Sequence, residues 1–316
     1  MKKISLLILI LINFSCLKEE IPIEAHQPGD LTTNQIELGS DYRYQAYYDV
    51  ATNSMVKKHL KTDWDLGFES NENGYRVILN TSKAMKVASK PITEFISTTD
   101  TINCEWKNDV SSGNLDSTAI GNWTTNQNFF IIDLGYSYTA EQLGFKKLQI
   151  LSVNENEYNI TYSSLNNSNN TSITIQKNEL YNFSFFSFQQ NSCLEIEPIK
   201  TDWDLVFGQY THLFDPTFPY LVTGVLSNRN GVEIAEVFDK DFLDINFSDI
   251  TNYTFSSDID MIGYDWKSYN SGTYEVDINK NYIIKTTEDL YYKIHFIDFY
   301  NNQGEKGTPK FEISSL

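Results

Sequence analysis

The stretch KTDWDLGF (residues 61–68) returns as KTDWDLVF (residues 200–207), with seven of the eight positions identical. A phrase of that length repeated in one chain is the mark of an internal duplication. Within it Trp64, Leu66 and Phe68 alternate with Asp63, Asp65 and Gly67, and Trp203, Leu205 and Phe207 repeat the pattern. Period-two alternation makes the phrase a strand with one aromatic, apolar face directed at a core. On that reading Asp65 and Asp204 accept backbone or Trp N–H bonds that hold the strand. The alternative, catalytic carboxylates paired with Asp63 and Asp202, suits the spacing less well.

Working outward, YYDVATNS (47–54) aligns without a gap on FFSFQQNS (185–192), and each leads into the phrase as strand, turn at Asn-Ser, strand. Downstream the Trp106-Lys107 pair parallels Trp266-Lys267. FIIDLG (130–135) parallels YIIKTT (282–287), KLQILSV (147–153) parallels KIHFIDF (293–299), and YSSL (162–165) parallels ISSL (313–316). These landmarks keep one order in both copies. They place unit one at 36–165 and unit two at 172–316, joined by the polar run NNSNNTS (166–172). Turn signals recur at NENG, SNRNG and NNQGEKG, and YTAEQLGF (138–145) is the best short helical candidate. The fold class expected is all-β, with two tandem antiparallel β-sheet domains. Their repeat core is Trp64, Phe68, Trp106, Trp203, Phe207 and Trp266.

The 20 Tyr, 20 Phe and 41% hydrophobic content suit packed β cores. With 24 basic against 42 acidic side chains the chain carries −18 at pH 7 and no local basic run, which argues against a nucleic-acid partner. Met1-Lys2-Lys3 and the apolar ISLLILILINFS ahead of Cys16 read as a secretory signal over 1–15. Cys16 is then the lipid-bearing residue of a lipoprotein, although Asn13 stands where Leu is usual, and 16–35 is a lipidated tether. Without Lys2 and Lys3 the balance is 22 basic against 42 acidic, or −20. Cys104 and Cys193 then remain, either as one disulfide between the units or as two small packed side chains. The run DKDFLDINFSD (239–249) is acidic enough for Ca²⁺ but lacks the loop glycine of a dedicated site, and reads as a solvated turn. No metalloprotease, nucleophile-elbow or phosphate-loop motif is present, and no enzyme is expected.

The phrase WDLxF, the later Trp-Lys, the strand IIKTTEDLYYKIHF (283–296) and the ending GEKGTPKFE (304–312) resemble the HmuY family of Bacteroidota surface lipoproteins. The resemblance is fuller over 172–316 than over the divergent 36–165. It implies an all-β fold on the outer membrane that binds haem and passes it to a TonB-dependent receptor. A different reading on the same scaffold is a non-catalytic interaction module for protein or glycan, without haem.

Haem iron needs axial donors beside an apolar pocket, so the resemblance turns attention to His and Met. His26 falls in the tether, His59 in a hairpin strand, and His295 mid-strand opposite Gln149 of the first copy. His212, in the aromatic stretch GQYTHLFDPTFPYL (208–221), is the leading ligand candidate, with Met261 and Tyr210 as second donors. A hydrogen-bonded surface histidine is its bland alternative. The first copy offers Met85 and no His in the corresponding loop.

Overall fold

The computed structural model of the chain describes residues 29–215 and 218–316. The signal segment, Cys16, His26 and the first part of the tether lie outside the described residues. The first copy supplies strands β1 (Thr32–Gln35), β2 (Tyr44–Asp49), β3 (Ser54–Leu60), β4 (Leu66–Glu69), β5 (Val77–Leu79), β6 (Lys86–Pro91), β7 (Asn128–Asp133), β8 (Phe145–Val153) and β9 (Glu157–Ser163). The second supplies β10 (Thr171–Gln176), β11 (Phe183–Ser187), β12 (Ser192–Leu194), β13 (Leu205–Leu213), β14 (Pro219–Ser227), β15 (Glu233–Val237), β16 (Lys267–Asn270), β17 (Thr273–Val276), β18 (Asn281–Lys285), β19 (Tyr291–Tyr300) and β20 (Lys306–Ser315). All strand pairs are antiparallel, so the all-β expectation holds.

The duplicated hairpins, β2–β3 and β11–β12, turn through Asn53 and Asn191, whose φ values of 54° and 53° lie in the left-handed region that Asn tolerates. Each hairpin then crosses to the other copy. One four-stranded sheet runs β3-β2-β13-β14 and the second runs β5-β4-β11-β12, so each phrase strand pairs with the hairpin of the opposite copy. Five-stranded sheets β1-β20-β19-β18-β15 and β10-β9-β8-β7-β6 pack beneath them, and β16–β17 forms a separate ribbon. One core joins Ala46 and Tyr48 to Phe207, Tyr282, Phe296 and Phe311. The other joins Leu66, Phe68 and Phe186 to Ile132, Tyr158 and Ile160.

The packing units therefore do not follow the boundaries 36–165 and 172–316. One gathers 32–60 with 205–316, and the other is the stretch 66–194 inserted between them. The tether also ends earlier than residue 35, because Thr32–Gln35 pairs with β20 and forms the edge strand of that sheet. Near-identical phrases present the same edge and the same alternation, so nothing local distinguishes pairing within a copy from pairing across copies.

The duplicated side chains lock this exchange symmetrically. Asp204 Oδ2 accepts from Val50 N at 2.9 Å, and Asp65 Oδ2 accepts from Phe188 N at 2.7 Å; Val50 and Phe188 occupy equivalent hairpin positions. Asp65 also receives the buried ammonium of Lys83. Trp203 meets Tyr47 edge-on at 4.8 Å and Trp64 meets Phe185 edge-on at 4.6 Å, again across copies. The two tryptophans thus sit at the seam. Trp64 packs with Phe183, Phe185 and Ile196 and does not share the cluster of Leu66 and Phe68.

Two buried lysines are likewise equivalent. Lys147 Nζ donates to Phe95 O and Thr98 O at 2.7 and 3.0 Å, and Lys293 Nζ donates to Phe242 O and Ile245 O, both at 2.9 Å. Carbonyl cages of this kind satisfy an ammonium that burial would otherwise penalise. The acidic run ends as a capped turn in which Asp249 accepts from Lys240 Nζ at 2.6 Å and from Asn246 N at 2.7 Å. No group of His, Cys, Asp and Glu suited to a metal ion occurs among the described residues.

Three other expectations are revised. YTAEQLGF forms a turn with Ala140 and Gly144 at positive φ, which a helix cannot accommodate. Cys104 and Cys193 are both free thiols. Trp106 is not core: it is half-buried, with Lys86 Nζ 4.9 Å above its ring. Its counterpart Trp266 is fully buried and stacks on Phe296 at 4.0 Å. No helix among the described residues is long and apolar enough to cross a membrane.

Candidate functional site

Strand β13 carries Tyr210 and His212 on one face, as alternation requires, and Phe214 follows directly after its end. Tyr210 is buried, His212 is partly covered and Phe214 is exposed. The His212 ring lies 5.0 Å from Phe214 and 4.9 Å from Tyr264, and Tyr220 is its cross-strand neighbour on β14. Phe214, Phe218 and Tyr220 are 51%, 55% and 59% exposed, an aromatic rim at the end of this hairpin. Exposed aromatic groups packed together in this way mark ligand or partner surfaces.

The turn before β16 folds over this face. Asp260 Oδ2 lies 3.5 Å from His212 Nδ1, which is buried and has no hydrogen-bond partner among the described residues. Burial raises the Asp260 carboxyl pKa, while His212 and a hydrogen bond from Ser111 pull it down. A carboxylate beside Nδ1 favours the proton there and leaves the Nε2 lone pair for a Lewis acid. Gly224 permits the approach, because a Cβ there would come within 2.2 Å of Gly263 O.

A cleft of about 910 Å³ opens beside this cluster. One wall is Leu213, Phe214, Pro219 and Asp260 of the second copy. The other is the first copy's Lys86, Trp106, Lys107 and the 110–112 and 117–119 segments. His212 itself does not line this cleft, whose aromatic lining residues are Trp106 and Phe214. If haem is held at the end of the β13–β14 hairpin, His212 is the residue that would hold the iron, beside the aromatic groups Phe214 and Tyr264.

The other expected donors do not converge there. Tyr210 lines a separate cavity of about 110 Å³ at the seam, with Trp64, Trp203, Glu197 and Arg229. At roughly 30 Å³ per water molecule such a space holds a few waters and no macrocycle. The Tyr210 hydroxyl is buried without a partner among the described residues, and burial raises its pKa. Met261 packs on the core that holds Phe207 and Trp266. Met85 is buried in the other core. His59 Nδ1 donates to Leu60 O at 2.8 Å, and His295 stacks on Phe242 at 3.9 Å with Glu312 at 2.9 Å. The sequence pointed to Met261, yet its neighbour Asp260 reaches His212. Alternation around the turn was the available signal. The contribution of Ser111, Lys86 and Trp106 had no local signal, because it comes from the other copy.

No curated protein matches the chain. Among solved structures it is similar to the apo HmuY analog of Tannerella forsythia, at 11% identity over 93% of this chain and 99% of that one, with a TM-score of 0.32. It is similar to apo PinO from Porphyromonas gingivitis at 10% identity over 91% and 98%, with a TM-score of 0.34. A Bacteroides vulgatus protein titled as HmuY-like and heme binding shares 16% over 41% and 82%, with a TM-score of 0.20. Likenesses this shallow carry nothing about the site. The HmuY protein family matches residues 41–313 in one span that covers both copies. The chain belongs to the HmuY family.

Proposed function

We propose that this protein binds haem at the aromatic end of the β13–β14 hairpin, with His212 as the axial ligand and Asp260 as the group that orients it. The protein is anchored at Cys16 to the outer membrane, facing outward, and passes haem to a TonB-dependent receptor. The supporting observation is the buried His212 Nδ1 facing Asp260, with the ring held by Phe214 and Tyr264 at the exposed aromatic end of the hairpin. Bound haem supplies its own iron chemistry. The chain's residues fix the imidazole tautomer, cover the porphyrin faces and exclude water.

The test is a haemin titration of the purified protein followed by visible absorption and repeated with His212→Ala. A saturable Soret shift at one haem per chain, lost in the variant, is expected. An absent shift, or one indifferent to the variant, removes haem capture through His212 and leaves a surface interaction module.

A further inference from the structure

The two turns pinned by the caged lysines share a frame and differ in chemistry. Lys293 holds Phe242 O and Ile245 O, and Lys147 holds Phe95 O and Thr98 O. Aligned on these carbonyls, FDKDFLD (238–244) of the second copy matches PITEFIS (91–97) of the first, with three carboxylates against one. The floor differs as well. Matching YIIKTT to FIIDLG puts Asn281 in the place of Phe129, and both are fully buried. Phe129 closes the first turn by packing edge-on against Phe95, ring centres 5.1 Å apart. Asn281 instead donates its amide N–H groups to Lys240 O at 3.0 Å and Asn279 O at 3.3 Å. Two carbonyl partners fix the orientation of the amide. Its Oδ1 is therefore the atom left over, buried and without a partner among the described residues.

Asn281 lines a groove of about 450 Å³ bordered by Asp239, Asp241 and Asp244. Tyr253 donates to Asp239 Oδ1 at 2.9 Å, and none of the three carboxylates is in an ion pair among the described residues. Lys240, which also lines the groove, is bound to Asp249 at 2.6 Å. Phe238 and Ile278 flank it and are 65% and 62% exposed. A buried acceptor, negative charge around the rim and apolar groups beside it match a cation that carries N–H donors on an apolar stem. The carboxylates do not converge as metal ligands, so a bare ion lacks the coordination it needs.

We infer that this groove docks a basic segment of a partner polypeptide, one Lys or Arg side chain entering toward Asn281 while an apolar neighbour covers Phe238 and Ile278. At −18 the chain draws such a segment in at long range. The turn meets it preformed, because the Lys293 cage already fixes the backbone. The surface involves neither His212 nor Asp260 and stands whether or not haem binds. The first copy keeps the same frame as a closed, apolar turn.

The experiment titrates the full chain into a fluorescein-labelled peptide of alternating Arg and Leu at low ionic strength and reads anisotropy. Saturable binding is expected, with Asp241→Asn/Asp244→Asn weakening it about tenfold, a loss of about 1.4 kcal/mol. The control Glu105→Gln/Glu155→Gln removes the same charge at exposed positions elsewhere and should leave binding nearly unchanged. Phe238→Ser should weaken the Arg-Leu peptide and spare an Arg-Ser peptide. Asn281→Phe, which installs the residue of the first copy, should weaken both. Asn281 is buried, so that variant is read beside its thermal melt; the exposed aspartate pair carries the test if it does not fold. No saturable binding, or equal losses in the two charge-matched double variants, overturns the inference. So does displacement of the peptide by calcium chloride at an ionic strength where sodium chloride leaves it bound, since the groove is then a metal site.

Discussion

Asp65 and Phe188 are joined by a 2.7 Å hydrogen bond across 123 residues of sequence, from backbone N–H to carboxylate, in the interior of the protein. The duplicate of this contact links Asp204 to Val50 at 2.9 Å. Together they fasten each hairpin to the phrase strand of the opposite copy, and they convert a repeated acidic residue into the bolt of a strand exchange.

These bolts differ in load. Asp204→Ala strands the buried Val50 N–H, and the expected cost is about 1–3 kcal/mol. Asp65→Ala also leaves the Lys83 ammonium buried without its partner, and about 3–5 kcal/mol is expected. Urea unfolding at neutral pH gives the order; equal losses, or a larger one at Asp204, would refute the assignment.

Acidification should stabilise the protein between about pH 7 and 5. Burial pushes Glu197 up to about 7, and Asp204 and Asp109 up to about 6. Each folded-state value lies above the ordinary one, so in this window the native state holds more protons than the unfolded chain. Stability therefore falls as pH rises, by up to about 1.4 kcal/mol per pH unit for each group. Glu197→Gln keeps an acceptor for Phe183 N and removes the titration. It should flatten the profile and raise the melting temperature at pH 7.5 more than at pH 5. A parent profile that climbs from pH 5 to 7 contradicts this.

Asp260→Asn tests orientation separately from ligation. The amide can no longer hold a proton on His212 Nδ1 by charge, and a loss of about 10- to 100-fold in haemin affinity is expected. The Soret position should be kept, since the Nε2 that would hold the iron is left unchanged. A shifted band with unchanged affinity would place Asp260 elsewhere in the mechanism.

Gly224→Ala probes the support of the site from below. The added methyl meets Gly263 O, so the turn carrying Asp260 must move. Overpacking of this kind costs about 1–3 kcal/mol. Haemin affinity is expected to drop with it, while Gly272→Ala, where nothing lies within 4 Å but φ is +97°, should lower stability without touching affinity. Equal affinity losses in both variants would detach the turn from the site.

The sequence by itself determined the strands, the hairpins with their Asn turns, the duplicated aromatic phrase and the structural role of its second Asp. All of these follow from local periodicity and side-chain chemistry. It also singled out His212, because an imidazole among so many aromatic neighbours is chemically conspicuous. Only the tertiary structure decided which copy each hairpin completes, since Tyr47 and Phe185 face equivalent edges and alternation is blind to copy number. The same exchange decided which side chains meet: Asp260 reaches His212 where Met261 turns into the core, and Trp106 faces a cleft while Trp266 is buried. Convergence across more than a hundred residues depends on how the sheets pack, and no local pattern in the chain encodes it.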